Sequence, residues 1–336
     1  MTYAGARGKT EAELASVLHF TLGQQHLHSV FGELTSDLRS IPSLANITLN
    51  IANSLWPQGD SPLMERFLAL VAEDYQASVV PVDYAAAPDS VRTKINRWVS
   101  TETQERIPAL IPPGGIDPST SLLLVSAIYF MGRWAETFDV NDTTQEPFHI
   151  SPDAVVRVPM MRQSHEFNYF ANDFLQMLEL PYNNGHLSML VLLPLSYDGL
   201  PQLEADLNWN SLQGWIVRSR RREVSTRIPR FTMSSSLDVS HVLASMGIAD
   251  AFSRRGADFS GMTGSRDLFV SSIQHGAFID VNEQGTEAAC ASAVFTSYGF
   301  VQRATFHADH PFVFLIQDNW TRSILFIGRV LDPSVT

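Results

Sequence analysis

The chain holds one cysteine, Cys290, so no disulfide can form within it and stability has to come from packing. No apolar run approaches the roughly 20 residues that a membrane-spanning helix needs. The first seven residues, M-T-Y-A-G-A-R, lack the apolar segment of a secretory signal. Basic residues are scarce: 23 Lys and Arg stand against 35 Asp and Glu, a formal net charge of −12. That balance disfavours nucleic acid and anionic membranes as partners. The short motifs of common enzymes are missing too. There is no G-x-S-x-G, H-E-x-x-H, P-loop, Rossmann fingerprint or paired cysteine, so neither an enzyme nor a cofactor is expected. His26 and His28, two residues apart, would face different sides of a helix, so no metal is expected either.

What is present is a long apolar pattern. The chain has 336 residues, 45% of them hydrophobic, enough for a sizeable core. Thr10 followed by early acidic residues predicts a helix start, and Gln24 to Arg39 an amphipathic helix. Ile47 to Trp56 alternates and predicts a strand; Ser61 to Tyr75 predicts a helix, Ser78 to Tyr84 a strand and Asp89 to Thr103 a helix. Thr120 to Trp134 and Leu187 to Pro194 are near-continuous apolar runs, the pattern of strands buried on both faces. Leu237 to Met246 predicts a helix closed by Gly247. Leu268 to Val281, Pro311 to Ile316 and Ser323 to Leu331 predict strands.

One stretch fits none of these patterns. From Val281 to Phe306 the chain reads V-N-E-Q-G-T-E-A-A-C-A-S-A-V-F-T-S-Y-G-F-V-Q-R-A-T-F. After Gly285 it lacks the Pro, Asn and Asp that usually fix a loop, and from Thr286 to Ala293 every residue but Glu287 is small, without the larger apolar residues of a helix. With a period of two, Thr286, Ala288, Cys290, Ser292 and Val294 share one side, and Glu287, Ala289, Ala291 and Ala293 the other. The first side is small or β-branched throughout, with Cys290 a small filler. Such a segment could enter between existing strands without large side chains blocking it. It suits a loop in one state and a central strand in another.

E-Q-G-T-E-A-A-C-A-S-A resembles the hinge of the reactive loop of serpins, the serine protease inhibitors. F-H-A-D-H-P-F from Phe306 and F-I-G-R-V from Phe326 follow at the family's spacing. I-N-R-W-V at Ile95, L-E-L-P-Y at Leu178 and A-D-F-S-G-M at Ala257 are further matches. The resemblance covers residues 1–336 as one domain and implies an α+β fold. It implies a large mixed main sheet, two smaller sheets, surrounding helices and an exposed reactive loop at about 283–305. The first twenty residues resemble the middle of a family helix and the turn after it. Either the start of the sequence is misplaced or partial, which Met1 at an internal motif position favours, or the chain is a serpin shortened at its N-terminus; in both cases the first helix and part of the second are lacking from the chain. It would be extracellular if an export signal has been lost with that part, and cytoplasmic otherwise.

The resemblance also implies a function and its residues. The hinge comprises Glu283, Gly285, Thr286, Glu287, Ala288, Ala289, Cys290 and Ala291. Counting forward from Gly285 puts the scissile bond at Gly299, and counting back from Phe306 puts it at Phe300. Tyr298 and Phe300 suit the deep apolar primary pocket of a chymotrypsin-like protease, so cleavage is expected after Phe300, before Val301, with Tyr298 next. A sheet-opening region in the family pairs a His with an Asn; these positions are His275 and Ser126 here. The expected activity is irreversible inhibition of chymotrypsin-like or elastase-like serine proteases through a covalent complex, by a monomer. A non-inhibitory carrier serpin and an inactive remnant are the alternatives. The Arg218, Arg220, Arg221, Arg222 run is expected to be solvated rather than a glycosaminoglycan or other polyanion site.

Overall fold

The computed structural model describes residues 1–45, 47–59, 61–183, 185–286 and 303–335. They form two compact units: Met1–Pro42, Thr48–Phe130 and Ser234–Phe278 make the first, and Ser43–Ile47, Met131–Met233 and Ile279–Thr336 the second. In chain order the first half contains α1 (Thr2–Gly5), α2 (Gly8–Val17), α3 (Gln24–Ala45), β1 (Thr48–Pro57), α4 (Glu65–Asp74), β2 (Ser78–Val79), α5 (Pro88–Glu102) and β3 (Leu122–Arg133). Next come β4 (Thr144–Ser151), β5 (Ala154–Ala171), β6 (Leu175–Pro181), β7 (Leu187–Pro194), α6 (Leu200–Asp206), α7 (Trp209–Arg218) and β8 (Arg220–Pro229). The remainder holds β9 (Phe231–Asp238), α8 (Ser240–Ser245), α9 (Ser260–Thr263), β10 (Val270–Val281), β11 (Gly285–Thr286), β12 (Ala304–His307), β13 (Phe312–Asp318) and β14 (Ile324–Val330).

The main sheet has strand order β2-β1-β3-β10-β9, with β11 paired to the end of β3. It is mixed: β1 with β2 and β3 with β10 are parallel, β3 with β11 antiparallel. In the first unit, Leu14, Leu27, Leu55, Phe67, Val71, Leu124, Phe259 and Val270 share one buried cluster. In the second, Leu175, Met177, Leu190, Leu192, Leu203, Trp215 and Leu315 form another. Every residue of β7 and of β13 is buried, which is why their sequences run apolar without alternating. The helix α7 opens on a capping box in which Asn208 and Ser211 each take the other's backbone N–H.

The two smaller sheets expected from the sequence are one. β12-β8-β5-β6-β7-β13-β14 run in a single eight-stranded sheet, with β4 on β5. The reason is the length of β5: its 18 residues pair with β4, with β8 from Met160 to Tyr169, and with β6 from Asn168 to Ala171.

Element ends also moved. The helix expected from Ser61 starts at Glu65, with Met64 extended as its cap; Pro62 disfavours helix for the residue before it. The strand expected to Tyr84 shrinks to Ser78–Val79 plus a single bridge between Gln58 and Val82, since Pro81 has no N–H for a ladder. Leu237 and Asp238 end β9 rather than beginning α8, and the Asp238 carboxylate accepts from the Ser240 amide at 2.9 Å. α3 runs six residues past Arg39, to Ala45.

Candidate functional site

In the first unit β3 and β10 lie side by side. Their register runs in parallel from Leu122 opposite Val270 to Tyr129 opposite Phe278, with an irregularity between Val270 and Ser272. No strand stands between them there. Ser126 and His275 fall opposite one another in this ladder, and both are half-buried. Among the described residues no hydrogen bond joins the His275 ring to the Ser126 hydroxyl, and burial pulls the imidazole pKa below its ordinary value. On the next position Gly276 faces the other way: a Cβ there would come 3.0 Å from Leu110 and 3.1 Å from Ile107.

Those two residues belong to the segment after α5, which Asn96 holds down. The buried Asn96 side chain accepts from the amides of Leu110 at 3.1 Å and Ile111 at 2.9 Å, and donates to the Ile111 carbonyl at 2.9 Å. All but one of the polar capacities of that amide are thereby used.

In the second unit the chain leaves β10 and turns back. The Asn282 amide donates to the Gly285 carbonyl at 2.8 Å, and the Gly285 amide to the Asn282 carbonyl at 3.1 Å. The Asn282 side chain also accepts from the Gln284 amide. Gly285 has φ of +136°, a conformation that favours glycine. β11 then pairs antiparallel with β3, Gly285 opposite Arg133 and Thr286 opposite Gly132. Gly285 is thus bonded on one side to the residue that follows β10 and on the other to the end of β3.

Three aromatic and acidic side chains brace this turn. Trp134 donates its ring N–H to the Asn282 carbonyl at 3.0 Å and stacks on Tyr182, with centroids 4.7 Å apart. The Trp134 and Phe138 amides donate to the carbonyls of Gln284 and Glu283. Glu283 is 3% exposed; its carboxylate accepts from Arg230 at 2.5 Å and from the Thr143 hydroxyl at 2.7 Å. Burial pushes the Glu283 carboxyl up, but the bonds from Thr143 and Arg230 outweigh it and hold the carboxyl below its ordinary range. The sequence reading placed Glu283 in the hinge but missed Thr143, Arg230 and Trp134. A lone arginine between Pro229 and Phe231 at a strand break was the available signal.

The chain from Arg303 onward is anchored in the same unit. Arg303 pairs with Glu223 at 2.6 Å, and β12 lies parallel on β8, Ala304 opposite Val224 to His307 opposite Arg227. Glu146, 8% exposed, receives Arg162 at 2.5 Å and Arg227 at 3.4 Å, with His307 at 3.6 Å. The hinge residues Glu287, Ala288, Ala289, Cys290 and Ala291 and the scissile candidates Tyr298, Gly299, Phe300 and Val301 lie outside the described residues.

The arginine run is engaged locally. Arg218 lies over the Phe170 ring and Arg222 over that of Tyr169, Arg221 pairs with Glu166 at 3.2 Å, and Arg220 donates to the carbonyls of Val217 and Ser219. His28 bonds to the Tyr75 hydroxyl. Among the described residues no group of His, Cys, Asp and Glu could hold a metal ion.

The main sheet thus has two parallel central strands, and the chain turns back at Gly285 onto the end of β3. The profile of the serpin (serine protease inhibitor) family matches residues 1–333, and the chain belongs to that family. It is 38% identical over 339 residues to the leukocyte elastase inhibitor of Xenopus laevis, covering 99% of this chain and 89% of the relative. It is 39% identical over 354 residues to serpin B3 of Homo sapiens, covering 99% and 90%. Among solved structures, uncleaved ovalbumin superposes with a TM-score of 0.89 at 30% identity, covering 99% of this chain and 89% of that one. Human thyroxine-binding globulin with thyroxine gives a TM-score of 0.90 at 28% identity, covering 99% and 88%.

Proposed function

We propose that residues 1–336 act as one domain and that the chain is a monomeric suicide-substrate inhibitor of chymotrypsin-like or elastase-like serine proteases. The observation that carries this reading is the seat of Gly285 and Thr286. They already run antiparallel at the end of β3, the direction that an added strand between the parallel β3 and β10 would take. The similarity to relatives named leukocyte elastase inhibitors supports it.

In this mechanism the protease serine attacks the scissile carbonyl, after Phe300 or Tyr298. The new amine leaves with a proton, and the loop stays joined to the enzyme as an ester. Residues from Thr286 onward then enter the sheet. Each added ladder bond contributes on the order of 1 kcal/mol net, so a dozen residues contribute roughly 10 kcal/mol, comparable with the stability of an ordinary domain. About fifteen extended residues span roughly 50 Å, so the linked protease is carried along. Pulling on the ester displaces it from the oxyanion hole, where losing one donor alone slows reaction roughly 100-fold or more. Deacylation then stalls.

Mixing the chain with chymotrypsin and with leukocyte elastase, followed by denaturing gel electrophoresis, tests the reading. A band at the summed mass supports it; cleavage without that band refutes it. The second reading, a non-inhibitory carrier, is favoured by the likeness to thyroxine-binding globulin. It predicts no covalent band and saturable binding of an apolar small molecule.

A further inference from the structure

β12, Ala304–His307, is an edge of the second unit's sheet, and among the described strands it pairs with β8 alone. An edge of four residues opens more readily than a central strand, so the charges beside it weigh heavily on how long it stays closed. We propose that His307, the last residue of β12, is an acid sensor: a proton taken up by this ring loosens β12 from β8.

The ring stands among charges without being bonded to them. Nε2 is buried, has no hydrogen-bond partner among the described residues and lies 3.6 Å from a Glu146 oxygen. Nδ1 lies 3.7 Å from an Asp309 oxygen. Both gaps are longer than a hydrogen bond. Each carboxylate is engaged elsewhere. Glu146 of β4 takes Arg162 of β5 at 2.5 Å, Arg227 of β8 at 3.4 Å and the Thr144 hydroxyl at 3.3 Å. Asp309 takes Nδ1 of His310 at 2.7 Å, and the other nitrogen of His310 faces the Pro194 carbonyl at 2.8 Å. His149 of β4 stacks its ring on Tyr197 instead. The charges that face His307 are thus Glu146, Asp309, Arg162 and Arg227.

Two of these attract a proton and two repel it. A cation at His307 would share Glu146 with both guanidiniums and Asp309 with His310. The ring is half-buried, so charging it also forfeits solvation. Burial is the largest effect and holds the ring below its ordinary value of 6.5, with Arg227 and Arg162 acting the same way and the two carboxylates offsetting part of it. When β12 opens, the ring reaches water and returns toward that ordinary value. Proton uptake therefore favours the open strand: closure is at full strength above about pH 6.5 and weakens as pH falls below it. His307, Asp309 and His310 also line a cavity of about 540 Å³, a route by which the ring exchanges protons with solvent. In the inhibitory reading, β12 holds the C-terminal end of the reactive loop, so acid would slacken that loop; the behaviour of the strand itself does not depend on that reading.

The test is hydrogen exchange of the whole chain, read by mass spectrometry at about pH 5.5 and about pH 7.5 and corrected for intrinsic rates. The peptide holding residues 304–308 is compared with that of β13, which carries no histidine. Opening of 304–308 is expected to rise about threefold to tenfold at the lower pH, the most that one ring of ordinary value 6.5 allows, with β13 changing less. His307→Gln should remove the rise. As a second measurement, the carbon-bound ring protons of His307 in the wild type, followed by NMR, should titrate with a midpoint below 6.5. Equal changes in both peptides, a rise that survives in His307→Gln, or a His307 midpoint above 6.5 overturns the proposal.

Discussion

A Cβ on Gly285 would stand 2.1 Å from the carbonyl oxygen of Gly132. No side chain fits there, and the φ of +136° disfavours any L residue besides. Gly285→Ala is therefore expected to unseat β11 and cost about 1–3 kcal/mol through backbone strain and the clash. The midpoint of urea denaturation measures it; an unchanged midpoint would show that the turn can be rebuilt without this contact.

Glu283→Gln removes the charge that Arg230 meets at the base of the turn. Arg230 is partly exposed, so its stranded charge is screened, and a loss of about 1–2 kcal/mol is expected. Arg230→Gln added to Glu283→Gln should cost less than the two single losses summed. Strict additivity would mean the pair contributes nothing. Because the Glu283 carboxyl sits below its ordinary 4.5, the stability it contributes is present above that pH and is lost as pH falls through the lowered value.

Burial holds His28, His275 and His307 below the ordinary histidine value of 6.5. At His307 the nearby Glu146 and Asp309 act the other way without reversing the shift. The unfolded chain binds protons at these rings from about pH 6.5 downward while the folded chain does not, so stability falls as pH drops below that point. A melting temperature lower at about pH 5.5 than at about pH 7.5 is expected, with His275→Gln reducing the difference. A flat profile over that window contradicts the buried neutral rings.

Asn96→Ala strands the amides of Leu110 and Ile111 and the Ile111 carbonyl. A loss of about 1–3 kcal/mol is expected. Proteolysis between Gln104 and Ile111 should quicken, since the segment then opens more often. Equal cleavage rates in variant and wild type would show that packing of Ile107 and Leu110 on Gly276 suffices to hold it.

Thr286→Arg tests the inhibitory reading most sharply. A large charged residue at the first position to enter the sheet slows insertion, so hydrolysis of the ester wins. The loop should still be cut by chymotrypsin while the covalent band disappears. Retention of that band in the variant contradicts insertion from Thr286 onward.

Much of this was legible along the chain. The buried run Leu187–Pro194, the alternation of Ile47–Trp56 and the amphipathic helix at Gln24 report local burial, which a linear pattern carries. Positions where a proline or a local turn decides were less legible: Pro81 reduced a predicted strand to two residues, and the turn in which the Asp238 carboxylate takes the Ser240 amide comes before α8. The merging of two sheets through β5 was not legible at all, since strand length and alternation do not say which partners a strand will take.

The amino-acid order by itself determined the family, the slim composition of the segment after Gly285, and the glycine that starts it. Side-chain size and backbone freedom are properties of each residue in place, so a string of letters carries them. Only the tertiary structure decided that β3 and β10 are neighbours with Ser126 opposite His275, and that Glu283 meets Arg230 and Thr143. It alone also seated Gly285 against Gly132. Those pairings join residues far apart in the chain, and long-range packing, which no local pattern encodes, chooses among them.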